Sequence, residues 1–146
     1  MKKVYFKKLD PRAIIPEYMT PQSAGMDLHI ILDGQTLWIN PGEIKLIRTG
    51  LAVEMPQTME AQVRPRSGLS LKYPNYISNS PGTIDSDYRG EIKIMFVNNT
   101  SKIATLGHEE RIAQIIFSRV VHAEIEETTI LKNTLRSTGG FGHTGL

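Results

Sequence analysis

Gly90-Glu91-Ile92-Lys93-Ile94-Met95-Phe96-Val97-Asn98 is the stretch that decides how the rest of the chain is read. In an extended segment Ile92, Ile94 and Phe96 share one face, and Lys93, Met95 and Val97 share the other. The pattern recurs on both sides of it. Met59-Glu60-Ala61-Gln62-Val63-Arg64 turns Met59, Ala61 and Val63 inward and Glu60, Gln62 and Arg64 outward, and Val121-His122-Ala123-Glu124-Ile125-Glu126 alternates in the same way. Further strands are expected over residues 4–9, 26–32, 36–39, 43–48, 51–55 and 111–118.

Turn signals cut these strands short: Asp33-Gly34, Asn40-Pro41-Gly42, Thr49-Gly50, Met55-Pro56, Ser80-Pro81-Gly82 and Leu106-Gly107. One short helix is expected, from Ser67 to Lys72, ending before Pro74. Trp38 reads as a packing residue. Many short strands with almost no helix predict an all-β fold, a jelly-roll-like β-barrel or sandwich with one short helix and a flexible C-terminal tail. The 146 residues suit one domain with a sizeable core, and 40% hydrophobic and 22% charged residues fit a globular chain. A β-domain is expected over residues 1–135, with a glycine-rich tail over 136–146.

Composition excludes several classes of chemistry. With no cysteine, there is no disulfide scaffold, thiolate nucleophile or cysteine-ligated metal centre. No apolar run reaches the roughly 18 residues of a membrane span, and the basic start lacks the apolar core of a signal peptide. A cytoplasmic protein without a membrane partner is therefore expected. Net charge of +2 is too small to imply a stable nucleic-acid surface.

The densest polar constellation is Asp85-Ser86-Asp87-Tyr88-Arg89-Gly90. If extended, Asp85 and Asp87 project to one side about 7 Å apart. They could activate water, hold a hydrated metal, or pair with Arg89; an Asx turn leading into the next strand would need none of these. Arg64-Pro65-Arg66-Ser67-Gly68-Leu69 sets two arginines, a hydroxyl and a glycine at a helix start, a suitable place for phosphate, or else a surface turn with solvated arginines. Ser67 lacks the G-x-S-x-G surroundings of a hydrolase nucleophile. The tail, Arg136 to Leu146, holds four glycines in eleven residues and suits either a disordered end or a lid over an anionic ligand. Its Gly140-Phe141-Gly142-His143-Thr144-Gly145 spells G-x-G-x-x-G but opens no helix, so it is not a dinucleotide fingerprint. A Walker A loop is absent. His29, His108, His122 and His143 show no metal-binding spacing and read as structural or surface residues.

In order and spacing, these segments resemble the five motifs of the trimeric dUTPase family. Ala24-Gly25-Met26-Asp27-Leu28 resembles the first motif and Pro65-Arg66-Ser67-Gly68-Leu69 the second. The third is resembled by Gly82-Thr83-Ile84-Asp85-Ser86-Asp87-Tyr88-Arg89-Gly90, and the fourth by Arg111-Ile112-Ala113-Gln114-Ile115-Ile116-Phe117. Gly139-Gly140-Phe141-Gly142-His143-Thr144-Gly145 is similar to the fifth. Ser137 and His143 depart from the family's common glycine and serine.

The resemblance implies a jelly-roll homotrimer with shared active sites that hydrolyses dUTP to dUMP and pyrophosphate with Mg2+, keeping uracil out of DNA and supplying dUMP for dTMP synthesis. It implies that Asp85 is the catalytic carboxylate, activating the water that attacks the α-phosphorus and meeting the sugar 3′-hydroxyl. Tyr88 would pack under the deoxyribose. Asn79, with main-chain groups of the hairpin that includes Thr83 and Ile84, would read uracil. Arg66, Ser67, Gly68 and Gln114 would bind phosphates, and Asp27 would meet waters of the metal shell. In the tail, Phe141 would stack on uracil while Arg136, Gly142 and Thr144 close on the phosphates. Two other readings stay open: a dCTP deaminase on the same fold, and a nucleotide-binding regulator without catalysis. The joint presence of Asp85, Tyr88, Arg136 and Phe141 speaks for the hydrolase. Eight of the twelve glycines fall within the motifs, and five of the eight arginines lie in or beside them, implying a local concentration of positive charge.

Overall fold

In the computed structural model, which describes residues 2–140, the elements follow in the order β1 (Tyr5–Lys8), β2 (Gly25–His29), β3 (Thr36–Ile39), β4 (Ile44–Arg48), β5 (Leu51–Glu54), β6 (Met59–Pro65), α1 (Ser67–Lys72), β7 (Gly82–Ile84), β8 (Lys93–Val97), β9 (Ala104–Gly107) and β10 (Arg111–Arg119). The fold is an all-β jelly roll with one short helix. A four-stranded sheet runs β2-β10-β6-β7, and β1–β5, β3–β9 and β4–β8 form two-stranded sheets. All the pairings are antiparallel. Strands far apart in sequence are neighbours, as the long connections of a jelly roll require.

The opening alternation is realised as read. Ile92, Ile94 and Phe96 are buried, while Lys93 and Met95 face out. Their side chains join Leu28, Val63, Ile112 and Ile115 from the four-stranded sheet in one core. Tyr73 and Tyr76 pack on the Phe96 ring with centroids 5.5 and 5.3 Å away. Truncating Phe96 to Ala would cost about 3–5 kcal/mol, because the cavity could not collapse without moving both rings. Asn98 is also buried; its amide donates to the carbonyls of Ile39 and Lys102, and its oxygen accepts from Thr100.

Four expectations are corrected. Residues 121–126 form no strand: Val121 and Ile125 are about nine-tenths exposed on an arm without regular structure that joins no sheet among the described residues. Gly82–Ile84 and Ala104–Gly107 are strands, although Pro81-Gly82 and Leu106-Gly107 read as turns. Pairing with β6 and β3 supplies what their local sequence lacks. Trp38 is 64% exposed on β3, not packed in the core.

Candidate active site

The expected site residues that precede the tail fall into two clefts that share no lining residue. The first, the hairpin cleft, forms where β7 lies against β6, with Gly82 opposite Val63, Thr83 opposite Gln62 and Ile84 opposite Ala61. Asn79, Thr83, Ile84, Asp85 and Tyr88 line a cavity of about 330 Å3, together with Val63, Glu91 and apolar groups of Leu46 and Met95. That size and mixture suit a small ligand with a flat apolar face and a few polar edges. A Cβ at Gly82 would stand 3.1 Å from the Asn79 amide nitrogen, so the missing side chain lets that amide lie close to the strand.

Residues 85–88 are not extended: the Tyr88 N–H donates to the Asp85 carbonyl at 3.1 Å, closing a turn. Asp85 and Asp87 are therefore not the successive same-face pair of a strand. Arg89 does not neutralise them either. Its guanidinium donates to the carbonyls of Ser86 and Tyr88 at 2.7 and 3.1 Å and faces Glu54 at 3.9 Å. The Asp85 carboxylate, on an exposed residue, thus stands at the cleft rim with no cation on it among the described residues. Across the turn, the Tyr88 ring lies over Gly90, and its hydroxyl donates to the Glu91 carbonyl at 3.2 Å. A Cβ on residue 90 would overlap the phenol.

The second, the charged cleft, owes its shape to β10 running between β2 and β6. Register sets Gln114 opposite Asp27 on one side and Arg64 on the other. Asp27 accepts from Arg66 Nε at 2.7 Å and from Arg111 Nη1 at 3.3 Å, one guanidinium on each oxygen. Arg66 Nη1 also donates to the Arg111 carbonyl, and Gln114 Nε2 donates to the Pro65 carbonyl at 2.8 Å. Ser67 and Gly68 complete this wall at the start of α1, where no side chain caps the helix. First-turn N–H groups of an uncapped helix keep their hydrogen-bonding capacity for other acceptors. The expected excess of positive charge is not found in this cleft, for Asp27, Glu109 and Glu110 balance Arg66, Lys72 and Arg111.

Tyr76 went unnoticed in the sequence. Its hydroxyl accepts the Arg66 N–H at 2.7 Å and donates to the Ile112 carbonyl at 2.6 Å, tying the start of α1 to the irregular stretch of β10 between Arg111 and Ala113. Burial pushes its pKa up, so it stays a neutral donor. The only local hint was an aromatic residue in a polar loop. Behind the cleft His29 pairs with Arg111 across β2 and β10, and its Nδ1 has no partner among the described residues. Burial, reinforced by the Arg111 charge, holds its imidazole below the ordinary value of 6.5. His108 is occupied structurally: its Nδ1 accepts the Leu32 N–H at 2.9 Å.

Arg136 lines neither cleft; its Nε donates to the Gly139 carbonyl at 2.8 Å. Ser137, which stands where the resembled family commonly has glycine, takes a positive φ of 46°, a backbone conformation that favours glycine. Phe141, Gly142 and Thr144, like His143 and Gly145, lie outside the described residues. Among the described residues, no group of three His, Asp or Glu side chains is arranged to hold a metal ion. Likewise, no helix among them is long and apolar enough to cross a membrane.

Known proteins resemble the chain over nearly its whole length. The sequence profile of the dUTPase family matches residues 11–145. A deoxyuridine 5′-triphosphate nucleotidohydrolase of Nautilia profundicola is 51% identical over 143 residues, covering 98% of this chain and 99% of the relative. One from Rickettsia akari is 49% identical over 144 residues, covering 98% and 97%. Among solved structures, a Staphylococcus bacteriophage 80alpha dUTPase with dUpNHpp superposes with a TM-score of 0.83 at 23% identity, covering 99% of each chain. A mutant dUTPase of phage phi11 of S. aureus, whose structure shows the coordination of a structural Mg(II) ion, superposes at 0.77 with 20% identity, covering 90% of this chain and 99% of that one.

Proposed function

The chain belongs to the dUTPase family of enzymes, and from that membership we propose that it hydrolyses dUTP to dUMP and pyrophosphate by attack of water on the α-phosphorus. Asp85 orients the water and takes its proton as the new P–O bond forms; the bond from the α-phosphorus to the bridging oxygen breaks, and pyrophosphate leaves with that oxygen. The observation that carries this reading is the Asp85 carboxylate, unpaired with Arg89 at the rim of the cavity that also holds Asn79 and Tyr88. Uracil fits that cavity, read by Asn79 and the main chain of Thr83 and Ile84. Cytosine would reverse part of the donor and acceptor pattern and leave polar groups unpaired. The Tyr88 ring underlies the deoxyribose and leaves no space for a 2′-hydroxyl.

Phosphates belong in the charged cleft, on Arg66, Ser67, Gly68 and Gln114. Because that cleft is balanced in charge, the triphosphate needs cations from elsewhere, which suits Mg2+ and the tail arginine, Arg136. Asp27 fits an indirect role toward the ion: both of its oxygens already accept from arginines, yet each keeps a lone pair for a metal-bound water. The chemistry Mg2+ would supply there is neutralisation of the charge that develops on the pyrophosphate, with Asp27 as the residue that would hold its waters.

The site is assembled from more than one chain of a homotrimer. Supporting this, the two clefts are separate in one chain, Arg136 reaches neither, and the arm leaves Val121, Ile125, Ile130, Leu131 and Leu135 largely exposed. So much exposed apolar surface marks a segment that is covered by another copy. Residues 1–135 are the β-domain and 136–146 its lid, with Phe141 on the uracil and Gly142 and Thr144 on the phosphates. In the cytoplasm, the reaction would keep uracil out of DNA and supply dUMP for dTMP synthesis. The test is pyrophosphate release from dUTP with Mg2+, beside dCTP, UTP and dTTP. Turnover confined to dUTP is expected; no turnover of dUTP, or ammonia released from dCTP, would overturn the assignment.

A further inference from the structure

Glu91 lies in the hairpin cleft but belongs to none of the roles above. Its side chain is 13% exposed and spans to a turn more than 40 residues away in sequence. The carboxylate accepts from the Gly50 N–H at 2.8 Å and from Arg48 Nε at 3.1 and 3.2 Å. Around it, Thr49 Oγ1 donates to the Ile92 carbonyl at 2.6 Å, and the Ile92 N–H donates to the Leu51 carbonyl at 2.7 Å. The turn itself cannot slide. Gly50 has a φ of 69°, and a Cβ there would stand 2.9 Å from Ala13 and Ile31 side-chain atoms. Residues 91 and 92 are therefore pinned from behind the cleft.

On the cleft side, the Glu91 carbonyl receives the Tyr88 hydroxyl. The ring is 46% exposed, lies over a glycine, and has this as its one side-chain hydrogen bond among the described residues. Where residue 91 sits thus sets how the ring stands. We propose that Glu91 is a positioning residue for sugar discrimination, in which its bonds to Gly50 and Arg48 hold the carbonyl that fixes the Tyr88 ring against the 2′ position. This rests on the reading of Tyr88 as the surface under the deoxyribose. Loosening the pin lets the ring tilt and makes room for a ribose, so the loss falls on selectivity more than on turnover of dUTP.

The test is kcat/KM for dUTP and UTP on the full chain. Glu91→Ala is expected to lower the dUTP-to-UTP ratio roughly tenfold, while Glu91→Gln, whose amide oxygen still accepts from Gly50, restores most of it. Tyr88→Phe, which removes only the hydroxyl, should lower the ratio by itself, and it should add little to Glu91→Ala because both break one linkage. Tyr88→Phe and Glu91→Gln keep the test decisive should Glu91→Ala not fold. An unchanged ratio in folded Glu91→Ala, or in Tyr88→Phe, overturns the proposal. Tyr88→Ala separates the two layers: if it also leaves the ratio unchanged, the reading of Tyr88 itself fails.

Discussion

The hairpin cleft and the charged cleft are built from different materials. Around the first stand an uncharged amide, a phenol, main chain and apolar side chains, with Asp85 at the rim, Lys93 in the lining and the Glu91 carboxylate already paired with Arg48. Around the second stand three cations and three carboxylates, of which Arg66 and Arg111 bond to Asp27, and Arg66 also to the Arg111 carbonyl. Shape and hydrogen-bond pattern distinguish one base or sugar from another, whereas a triphosphate is common to every nucleotide competitor. The contrast implies that choice of substrate resides in the hairpin cleft and grip in the charged one. Each can be disturbed separately.

Asp85→Asn has the largest expected effect. It removes the proposed proton acceptor while keeping size and placement, so kcat should fall roughly 10^2- to 10^4-fold with KM for dUTP little changed. Steady-state kinetics check this; a change confined to KM would show that Asp85 only binds. Arg66→Ala comes next, on the other side of the comparison. Losing a charge-assisted hydrogen bond should raise KM roughly ten- to hundredfold. The rise should be alike for dUTP and UTP, and a shift in their ratio would break the division of labour.

Glycines sharpen the same contrast. A methyl at position 90 overlaps the Tyr88 phenol, whereas one at position 68 meets nothing within 4 Å. Gly90→Ala should therefore displace the ring, lowering kcat/KM for dUTP by roughly tenfold. Gly68→Ala should leave the free protein undisturbed, with an unchanged thermal midpoint. Any KM effect there then reports how closely a phosphate approaches the main chain.

Legibility in the sequence divides along physical lines. Thr36–Ile39 and Ser67–Lys72 were expected with these bounds, because local alternation, turns and Pro74 all agree there. Gly82–Ile84 has only three residues, too few for a period, and becomes a strand through its pairing with β6. Val121-His122-Ala123-Glu124-Ile125-Glu126 shows the converse. It alternates as well as residues 92–97 do, but alternation only offers a face, and nothing among the described residues covers it. In the site, Asp27, Arg66, Asp85 and Gln114 were legible through motifs that resemble a family. Tyr76 and Glu91 were not, since each acts through bonds to residues 10 to 43 positions away. A polar residue whose partners are fixed only by the fold carries no local signal.

The smallest expected effect comes from His29, which pairs with Arg111 beside the charged cleft. Arg111 and Arg66 oppose its protonation, Asp27 and Glu109 favour it, and burial with Arg111 prevails, leaving its folded pKa below 6.5. In the unfolded chain the imidazole titrates near its ordinary value. Below about pH 6.5 the unfolded state therefore binds a proton that the folded state refuses, and stability falls as pH falls, flattening once the folded pKa is passed. One proton limits the slope to about 1.4 kcal/mol per pH unit. Thermal midpoints between about pH 7.5 and 5 should thus decline for the unaltered chain and decline less for His29→Gln, which cannot acquire charge. Equal slopes for the two would show that the charged cleft tolerates a further cation beside it, and that its balance of arginines and carboxylates is looser than the bonds on Asp27 indicate.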